Sequence, residues 1–298
     1  MLSAADKQFY DTDGYLMVED AISAEQLETL RRLTYDFIEE SRGVTASDDR
    51  FDLDEGHSAA TPRLTRVKVP HKQNRAFYDV LLNSRMTQVL ADLLGPDTMI
   101  QTSKLNTKAP GGGAAVEWHQ DWAFYPHTND SMLAFGLMLE DVDLANGPLQ
   151  VIPGSHKGPV LSHHNPQGLF CGAVDPDDPD FHHDKAVTLT GKAGSMTVHH
   201  ARTLHGSAPN VSDRNRLICF YELRAADAWP LLGSGSYMKF AGNQQGLCDA
   251  LAEQVVTGSL SFVPRVAPCP VRLPLPPAPD AGSIFKTQKT GGARSVFA

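Results

Sequence analysis

The chain has 298 residues, of which 41% are apolar and 20% are charged, a composition typical of a globular protein with a sizeable core. Its 26 basic and 35 acidic side chains give a formal charge of −9, which argues against non-specific binding to nucleic acid. No apolar run approaches the roughly 18 residues of a membrane span, and the N-terminus lacks the pattern of a signal peptide. Four scattered cysteines without a C-x-x-C pair favour free thiols, so we expect a cytoplasmic protein.

The first hundred residues are predicted to be mainly helical. A capping box begins at Ser23, and the leucines and other apolar residues that follow at steps of three and four predict an amphipathic helix that ends near Gly43. Residues 44–62 are polar and are predicted to form a loop. A second apolar helix is predicted over residues 77–94, stopped by a Gly-Pro pair.

From about residue 98 the pattern changes to short apolar runs separated by turn-forming residues. Many short strands at this spacing indicate a sandwich, a barrel or a jelly roll. No helix follows Gly111-Gly112-Gly113, so we interpret this segment as a hairpin loop and not as a phosphate-binding loop. The candidate strands are 98–106, 115–122, 132–140, 149–152, 186–189, 195–199, 203–206 and 215–224.

Two segments outside these strands carry little periodicity. Residues 161–185 form a long connection that is either disordered or a lid, and the tail is predicted to hold a helix near 243–256. A Pro-rich stretch over 264–279 is expected to be extended and packed on the domain. We predict one domain over 1–298, with helical support in 1–97, a β core in 98–225 and a C-terminal extension in 226–298.

The segment around His119 and Asp121 is the first that indicates chemistry. Side chains two apart on a strand point to one face, and their Cα atoms would be roughly 6.7 Å apart. An imidazole and a carboxylate at that separation can converge on one metal ion.

A third ligand is available about 86 residues downstream, where His199, His200 and His205 fall among later strands. Two histidines and one carboxylate form the facial triad of non-haem Fe(II) proteins, and the same set can hold catalytic zinc. We interpret His199 and His200 as surface strand residues or satisfied core residues.

Arg216 is predicted to lie on a strand that is buried on both faces. A buried guanidinium is costly unless it pairs with an anion, and its geometry matches a carboxylate. The partner is either a carboxylate of a bound ligand or an Asp or Glu of the protein.

Three blocks of the sequence resemble one known family. They are His119-Gln120-Asp121, the run NGPLQVIPGSHK over 146–157, and HGSAPN over 205–210 followed by Arg216. The chain is similar over residues 8–224 to the phytanoyl-CoA dioxygenase family of Fe(II)- and 2-oxoglutarate-dependent oxygenases. The resemblance implies a mainly β fold with flanking helices, a double-stranded β-helix or jelly-roll, cupin-like barrel.

The resemblance also implies roles for the motif residues. His119, Asp121 and His205 would bind Fe(II), and Arg216 would grip the distal carboxylate of the cosubstrate 2-oxoglutarate with Ser207 beside it. Halogenases of the family replace the carboxylate ligand with a small residue, so the presence of Asp121 favours hydroxylation-type chemistry.

Further cosubstrate contacts are carried over from weaker similarities. A basic residue upstream also touches 2-oxoglutarate in relatives, and Arg66 resembles that position, with Lys68 as the alternative. Asn106 and Ser103, on the strand before the metal strand, are additional candidates.

The implied reaction uses O₂ and releases succinate and CO₂ while a C–H bond of a small-molecule metabolite is hydroxylated. Phe124, Tyr125 and Trp229 are candidates to line the substrate space. The identity of the substrate and the oligomeric state do not follow from the sequence. Two alternative functions stay open for this chain: a zinc-dependent hydrolase or lyase that uses the same three ligands, and a non-catalytic barrel that binds a small molecule.

Overall fold

A computed structural model describes residues 1–231, 244–270 and 283–297 of the chain. The helices in this part are α1 (Ala4–Asp13), α2 (Ala24–Glu40), α3 (Pro70–Gln73), α4 (Ala76–Leu82), α5 (Arg85–Leu94), α6 (Gln244–Ala252) and α7 (Ile284–Thr290). The strands are β1 (Tyr15–Val18), β2 (Phe51–Leu53), β3 (Leu64–Lys68), β4 (Thr98–Lys108), β5 (Val116–His119), β6 (Met132–Met138), β7 (Leu149–Val151), β8 (Val187–Leu189), β9 (Met196–His200), β10 (His205–Ser207), β11 (Arg216–Ala225) and β12 (Val255–Thr257).

The strands form two facing antiparallel sheets. The larger sheet has the order β1-β9-β6-β11-β4-β3-β2, with β12 also paired to β4, and the smaller sheet has the order β5-β10-β7-β8. Strands that are distant in sequence are neighbours within each sheet, which is typical of a jelly roll. The predicted double-stranded β-helix with flanking helices is confirmed, and each strand predicted between residues 98 and 224 is present.

Helix α2 confirms the predicted capping box. The Ser23 hydroxyl accepts a hydrogen bond from the Gln26 amide, and the Gln26 side chain accepts one from the Ser23 amide. The single helix predicted over residues 77–94 is wrong, because Asn83 leaves helical geometry after α4. The Ser84 hydroxyl then accepts a hydrogen bond from the Met86 amide and starts α5.

The N-terminal region contributes more strand than its sequence predicts. β2 begins inside the stretch 44–62, which is predicted to be a loop, and forms the edge of the larger sheet, with β3 between β2 and β4. β1 pairs with β9 at the other end of that sheet. These segments are three to five residues long, too short for a clear alternation of polar and apolar residues.

The main core lies between the larger sheet and the N-terminal helices. Leu30 and Phe37 of α2, and Leu81 and Leu90 of α4 and α5, pack with Tyr221 and the other residues of β11 whose side chains point the same way. The opposite face of the larger sheet turns toward the smaller sheet. The space between the two sheets is therefore left for the polar residues of the candidate site.

Two predictions about connections have different outcomes. The segment 111–113 is not a hairpin loop, because it joins β4 of the larger sheet to β5 of the smaller one. The Pro-rich tail is extended and bonded to the domain as far as it is described, through Ala267 to Thr128 and Trp122 to Pro270. Residues 271–279 of that stretch lie outside the described residues.

The connection 161–185 is folded onto the smaller sheet. The Val174 amide donates to the Trp118 carbonyl, and the Gln120 amide donates to Nε2 of His163. Among the described residues, no helix combines the length and the apolar character of a membrane span.

Candidate metal centre

Three of the predicted ligands meet between the sheets. His119 ends β5, His205 begins β10, and their Cα atoms are direct partners in the antiparallel register. Asp121 lies two residues on, in a 3₁₀ turn over Asp121–Ala123. One ligand atom from each of the three residues lies within 4.8 Å of the others, and all three side chains are buried.

Backbone contacts fix the orientation of both imidazoles. Nδ1 of His119 lies 2.8 Å from the Glu117 carbonyl oxygen, and Nδ1 of His205 lies 2.9 Å from that of Thr203. A carbonyl only accepts hydrogen bonds, so each Nδ1 carries the proton and each Nε2 presents a lone pair. Such a second hydrogen bond is the usual way in which proteins orient a metal-bound histidine.

The charge states of the cluster suit a divalent cation. Burial lowers the pKa of His119 to about 4, and burial together with neighbouring imidazoles holds the pKa of His205 well below its usual value. Burial raises the pKa of Asp121, but the neighbouring imidazoles and Lys104 outweigh it, so this pKa lies well below its usual value. Near neutral pH the site therefore offers two neutral imidazoles and one carboxylate, the protonation states that metal coordination requires.

The Gln120 side chain holds this strand end against its neighbours. Its amide nitrogen donates to the carbonyl oxygens of Pro159 and Arg202, and its amide oxygen accepts from the Leu161 amide. Gln120 is fully buried, so these bonds are shielded from water. The position of Asp121 is thus set by a packed backbone on both sides of it.

Arg216 lies in the same cavity as the three ligands, here called the metal cavity. This cavity has a volume of about 550 Å³ including its open mouth, and Ser207 and Leu149 also line it. Burial lowers the pKa of Arg216 to about 9, and no described carboxylate lies close enough to offset that effect. Its Nε is buried without a hydrogen bond. A guanidinium in this setting is suited to bind the carboxylate of a ligand.

Lys108 lies beside Arg216 and Ser207, two residues that line the metal cavity. The sequence alone did not identify it as a candidate site residue. It pairs with Arg216 across β4 and β11, and its Nζ lies 2.7 Å from the Ser207 hydroxyl. It also donates to the carbonyl oxygens of Ser207 and Ala208. Burial and the charge of Arg216 hold the pKa of Lys108 well below its usual value, with Glu117 opposing them. Lys108 therefore fixes the orientation of Ser207.

The other predicted cosubstrate residues divide into two groups. Arg66 and Asn106 line the metal cavity, and the Arg66 Nε donates to the Asn106 side-chain oxygen at 2.9 Å. Ser103 is not brought to the cavity, because it lies on the opposite face of β4 with its hydroxyl 2.5 Å from Nδ1 of His71. Lys68, the alternative to Arg66, pairs with Asp52 at 3.0 Å and does not line the cavity.

A second cavity, here called the outer cavity, adjoins the metal cavity. Phe124, Tyr125 and Phe170 line it, so two of the three predicted substrate residues are present. Trp229 is not brought there; it packs with Met99 and Leu251, and its Nε1 donates to the Ser261 carbonyl. The outer cavity has a volume of about 880 Å³ including its opening.

His199 corrects an expectation. The prediction of a surface or satisfied core residue is wrong, because His199 lines the metal cavity and is buried with neither ring nitrogen in a well-formed hydrogen bond. Its Nε2 lies 3.4 Å from Asp121 Oδ2. The sequence signal was the strand alternation of β9, which shows only that His199 and His200 point to opposite faces.

The C-terminal segment 283–297 closes one side of both cavities. Ile284 of α7 lines each of them. The segment is fastened to Glu117 of β5, whose carboxylate accepts from the Ser295 hydroxyl and the Val296 amide. Gln288 bonds both the amide and the carbonyl of Glu117. No feature of the sequence links this segment to the site.

The donor set fits Fe(II), and the cavity fits a dicarboxylate cosubstrate. Two imidazoles and one carboxylate leave three coordination positions on an octahedral ion. Arg216, buried and without a described carboxylate beside it, lies in the same cavity and matches the far end of a ketoacid. The geometry is thus that of a site that binds a metal and an anion together.

Comparisons with known proteins agree with this geometry. The profile of the family described as phytanoyl-CoA dioxygenase (PhyH) matches residues 10–218. A probable alpha-ketoglutarate-dependent hypophosphite dioxygenase of Stutzerimonas stutzeri is 35% identical over 296 residues, which covers 97% of this chain and 98% of the relative. An ectoine dioxygenase of Sphingopyxis alaskensis is 27% identical over 247 residues and covers 74% of each chain.

Solved structures show the same fold. The crystal structure of EctD from S. alaskensis with 2-oxoglutarate and 5-hydroxyectoine has a TM-score of 0.61 and 25% identity. The match covers 76% of this chain and 77% of that one.

Proposed function

The chain belongs to the phytanoyl-CoA dioxygenase family of Fe(II)- and 2-oxoglutarate-dependent oxygenases, and on that premise we propose that it oxidises a small polar substrate. It is a 2-oxoglutarate-dependent dioxygenase, an oxidoreductase that uses Fe(II) and O₂. This assignment replaces both alternatives, the zinc hydrolase or lyase and the non-catalytic barrel.

The roles of individual residues are part of the proposal. His119, Asp121 and His205 hold Fe(II), and their convergence within 4.8 Å is the observation that carries the proposal. Arg216 binds the distal carboxylate of 2-oxoglutarate, with Ser207 beside it held by Lys108. Arg66 and Asn106 line the same cavity and stay candidates for a cosubstrate contact.

When bound, iron and 2-oxoglutarate supply the oxidation, in which one oxygen atom of O₂ enters succinate, the other enters the substrate, and CO₂ is released. The protein supplies placement and shielding. Arg216 sets how far the cosubstrate reaches toward the ligands, and the two histidines keep Nε2 free because their Nδ1 protons are bonded to carbonyl groups. Phe124 and Phe170, together with Ile284 of α7, limit the access of water.

Hypophosphite is the first candidate substrate, because the relative named for it matches nearly the whole chain. The family profile ends at residue 218, whereas that relative covers 97% of this chain, so most of the C-terminal region is shared. This region includes α7, which lines the metal cavity. The reaction would convert a P–H bond to P–OH.

Hydroxylation of a C–H bond in a small organic metabolite is the second candidate. The aromatic wall of the outer cavity, formed by Phe124, Tyr125 and Phe170, favours it. Ectoine is the matching probe, since several relatives are named ectoine dioxygenases.

Substrate-dependent turnover tests the two candidates. The Fe(II)-loaded enzyme is given 2-oxoglutarate, O₂ and either hypophosphite or ectoine, and succinate is quantified against the oxidised product. We expect hypophosphite to raise succinate formation at least about tenfold over the uncoupled rate, with one phosphite formed per succinate. Stimulation by ectoine alone, with a product one oxygen heavier, would support the second candidate. No stimulation by either compound would reject both substrates.

Two further assignments are proposals of the same kind. We propose a single oxygenase domain over 1–298, supported by the pairing of β1 and β3 with strands of the core sheet. A cytoplasmic location is supported by the four cysteines, all of which are free thiols.

A further inference from the structure

An ion pair of Lys104 and Glu222 lies at the junction of the metal cavity and the outer cavity. The two residues come from the neighbouring strands β4 and β11, and Lys104 Nζ contacts Glu222 Oε1. Both residues line both cavities. Any substrate that passes from the outer cavity toward the metal ligands therefore meets this pair.

Buried polar atoms with incomplete hydrogen bonding lie near the pair. Glu222 Oε2 and the Tyr125 hydroxyl are buried and lie close to each other without a well-formed hydrogen bond, and the Tyr125 hydroxyl also lies near Asp121. Arg66 donates from Nε to Asn106, and its guanidinium carbon lies 5.0 Å from the centre of the Phe285 ring. Buried polar atoms in folded proteins are nearly always hydrogen-bonded. Their concentration at one junction indicates that a polar ligand completes them.

The charges around the junction indicate the sign of that ligand. At the metal centre, Fe(II) and Arg216 together balance Asp121 and the two carboxylates of 2-oxoglutarate. Of the remaining charged residues that line the cavities, Arg66 and Lys104 are positive and Glu222 is negative. One positive charge is left, and Lys108 is not counted because its Nζ is bonded to Ser207 and Ala208 and it lines neither cavity. Asp52, which acts on Arg66 from outside the cavities, is already paired with Lys68.

We propose that the Lys104–Glu222 pair is a charge filter that admits a substrate with one negative charge and disfavours a substrate with two. Lys104 attracts an anion. Burial raises the pKa of Glu222, whereas the contact with Lys104 favours its carboxylate form, and this carboxylate repels a second negative charge. This inference rests on the proposed function, because it assigns the substrate class of the same site. It makes a small monoanionic oxyanion the substrate class and disfavours long acyl thioesters of coenzyme A, which carry several phosphate charges.

The filter is tested by binding, without turnover. The enzyme is loaded anaerobically with Fe(II) and 2-oxoglutarate and titrated calorimetrically with hypophosphite, a monoanion, and with phosphite at mildly alkaline pH, where phosphite is a dianion. The wild-type enzyme is expected to bind hypophosphite more tightly. Glu222→Gln removes the repelling charge at nearly constant shape, so the ratio of the two dissociation constants should shift by about tenfold in favour of phosphite. A wild-type preference for phosphite, or binding of neither anion, overturns the filter.

The matched control is Glu39→Gln, the same substitution in an exposed ion pair with Arg42. It should leave the ratio unchanged, which separates the local effect from the change in net charge. Lys104→Met should weaken both anions by at least about tenfold. Two results would overturn the filter: an unchanged ratio of the two dissociation constants in Glu222→Gln, or unchanged hypophosphite binding in Lys104→Met. If these variants bind Fe(II) and 2-oxoglutarate normally, the dioxygenase assignment stays intact. If the wild-type enzyme bound neither Fe(II) nor 2-oxoglutarate, that result would instead contradict the proposed function.

Discussion

Arg216 is the residue whose setting most clearly requires a ligand. It is buried to 2% exposure, and burial lowers its pKa without an acidic side chain to oppose it. A protein seldom buries a guanidinium in this way unless an anion completes the site. In the proposed function that anion is the distal carboxylate of 2-oxoglutarate.

Replacing Arg216 by alanine should therefore weaken 2-oxoglutarate binding by about 2–4 kcal/mol, the usual cost of truncating one partner of a buried charge pair. Anaerobic titration of the Fe(II) enzyme with 2-oxoglutarate measures this. The control is Arg214→Ala, two residues before Arg216, which removes an exposed guanidinium paired with Asp143. This variant should bind 2-oxoglutarate normally. Equal dissociation constants for wild type and Arg216→Ala would place the anchor elsewhere.

For single residues, the sequence predicts those that belong to a motif. It does not predict those that reach the site only through the pairing of strands. His119 and Asp121 were recognisable from their spacing and from the motif, although Asp121 lies in a 3₁₀ turn after β5 and not on the strand that the shared-face argument assumed. Lys108 was not, because its role depends on the pairing of β4 with β11 and on the contact of its Nζ with Ser207. Ser103 was assigned to the wrong face of β4, since a similarity without a register cannot tell neighbouring positions apart.

Among the elements, α7 has the most direct bearing on the site. It lies far along the chain from the motifs, yet Ile284 lines both cavities and Gln288 joins α7 to β5. The Gln288 amide nitrogen also donates to the Gly172 carbonyl at 2.9 Å. One buried side chain thus ties the C-terminal segment to β5 and to the connection 161–185.

Gln288→Ala should loosen the C-terminal segment 283–297. Three hydrogen bonds of roughly 1 kcal/mol each are lost, so amide hydrogen exchange in this segment should speed up by about tenfold or more. The Michaelis constant for the substrate should rise as well, because Ile284 is no longer held at the cavity.

Exchange mass spectrometry of the segment and steady-state kinetics measure these two effects. The control is Gln245→Ala in α6, which removes an exposed glutamine bonded to Asp249. Unchanged exchange in Gln288→Ala would show that other contacts hold the segment.

Two helical segments show when the spacing of apolar residues is enough to predict where a helix begins and ends. The helix after Ser23 has four turns of regular spacing and a capping box, and it begins at the predicted residue. The stretch 77–94 is equally apolar, but its break at Asn83 and Ser84 is set by one hydroxyl contact. The pairing of His119 with His205 depends on β5 and β10 being neighbours, which no local pattern can reveal.

On the scale of the whole molecule, the buried histidines link folding to pH. Burial lowers the pKa of His127 to about 4 and that of His163 to about 3, whereas an unfolded histidine has a pKa near 6.5. The unfolded chain therefore binds more protons than the folded one below pH ~6.5. The stability contributed by neutral histidines is complete above that pH and is lost as the pH falls toward their folded pKa values.

The metal-free protein should accordingly lose stability between about pH 6.5 and 4, by on the order of 2 kcal/mol per buried histidine. Denaturant unfolding at a series of pH values measures this loss. Ordinary carboxylates titrate mostly below this window, so the slope reports mainly on the histidines. His127→Gln should flatten the slope by up to one proton. A denaturation midpoint independent of pH over this window would contradict the burial of neutral imidazoles.

In the proposed function, one metal ion and one ketoacid share the space between the two sheets. Anomalous diffraction from anaerobic crystals grown with Fe(II) and 2-oxoglutarate tests it most directly. We expect a single strong iron peak bonded to Nε2 of His119, Nε2 of His205 and a carboxylate oxygen of Asp121, with the distal carboxylate of 2-oxoglutarate on the Arg216 guanidinium. Iron bound without His205, or a cosubstrate that does not touch Arg216, would contradict it.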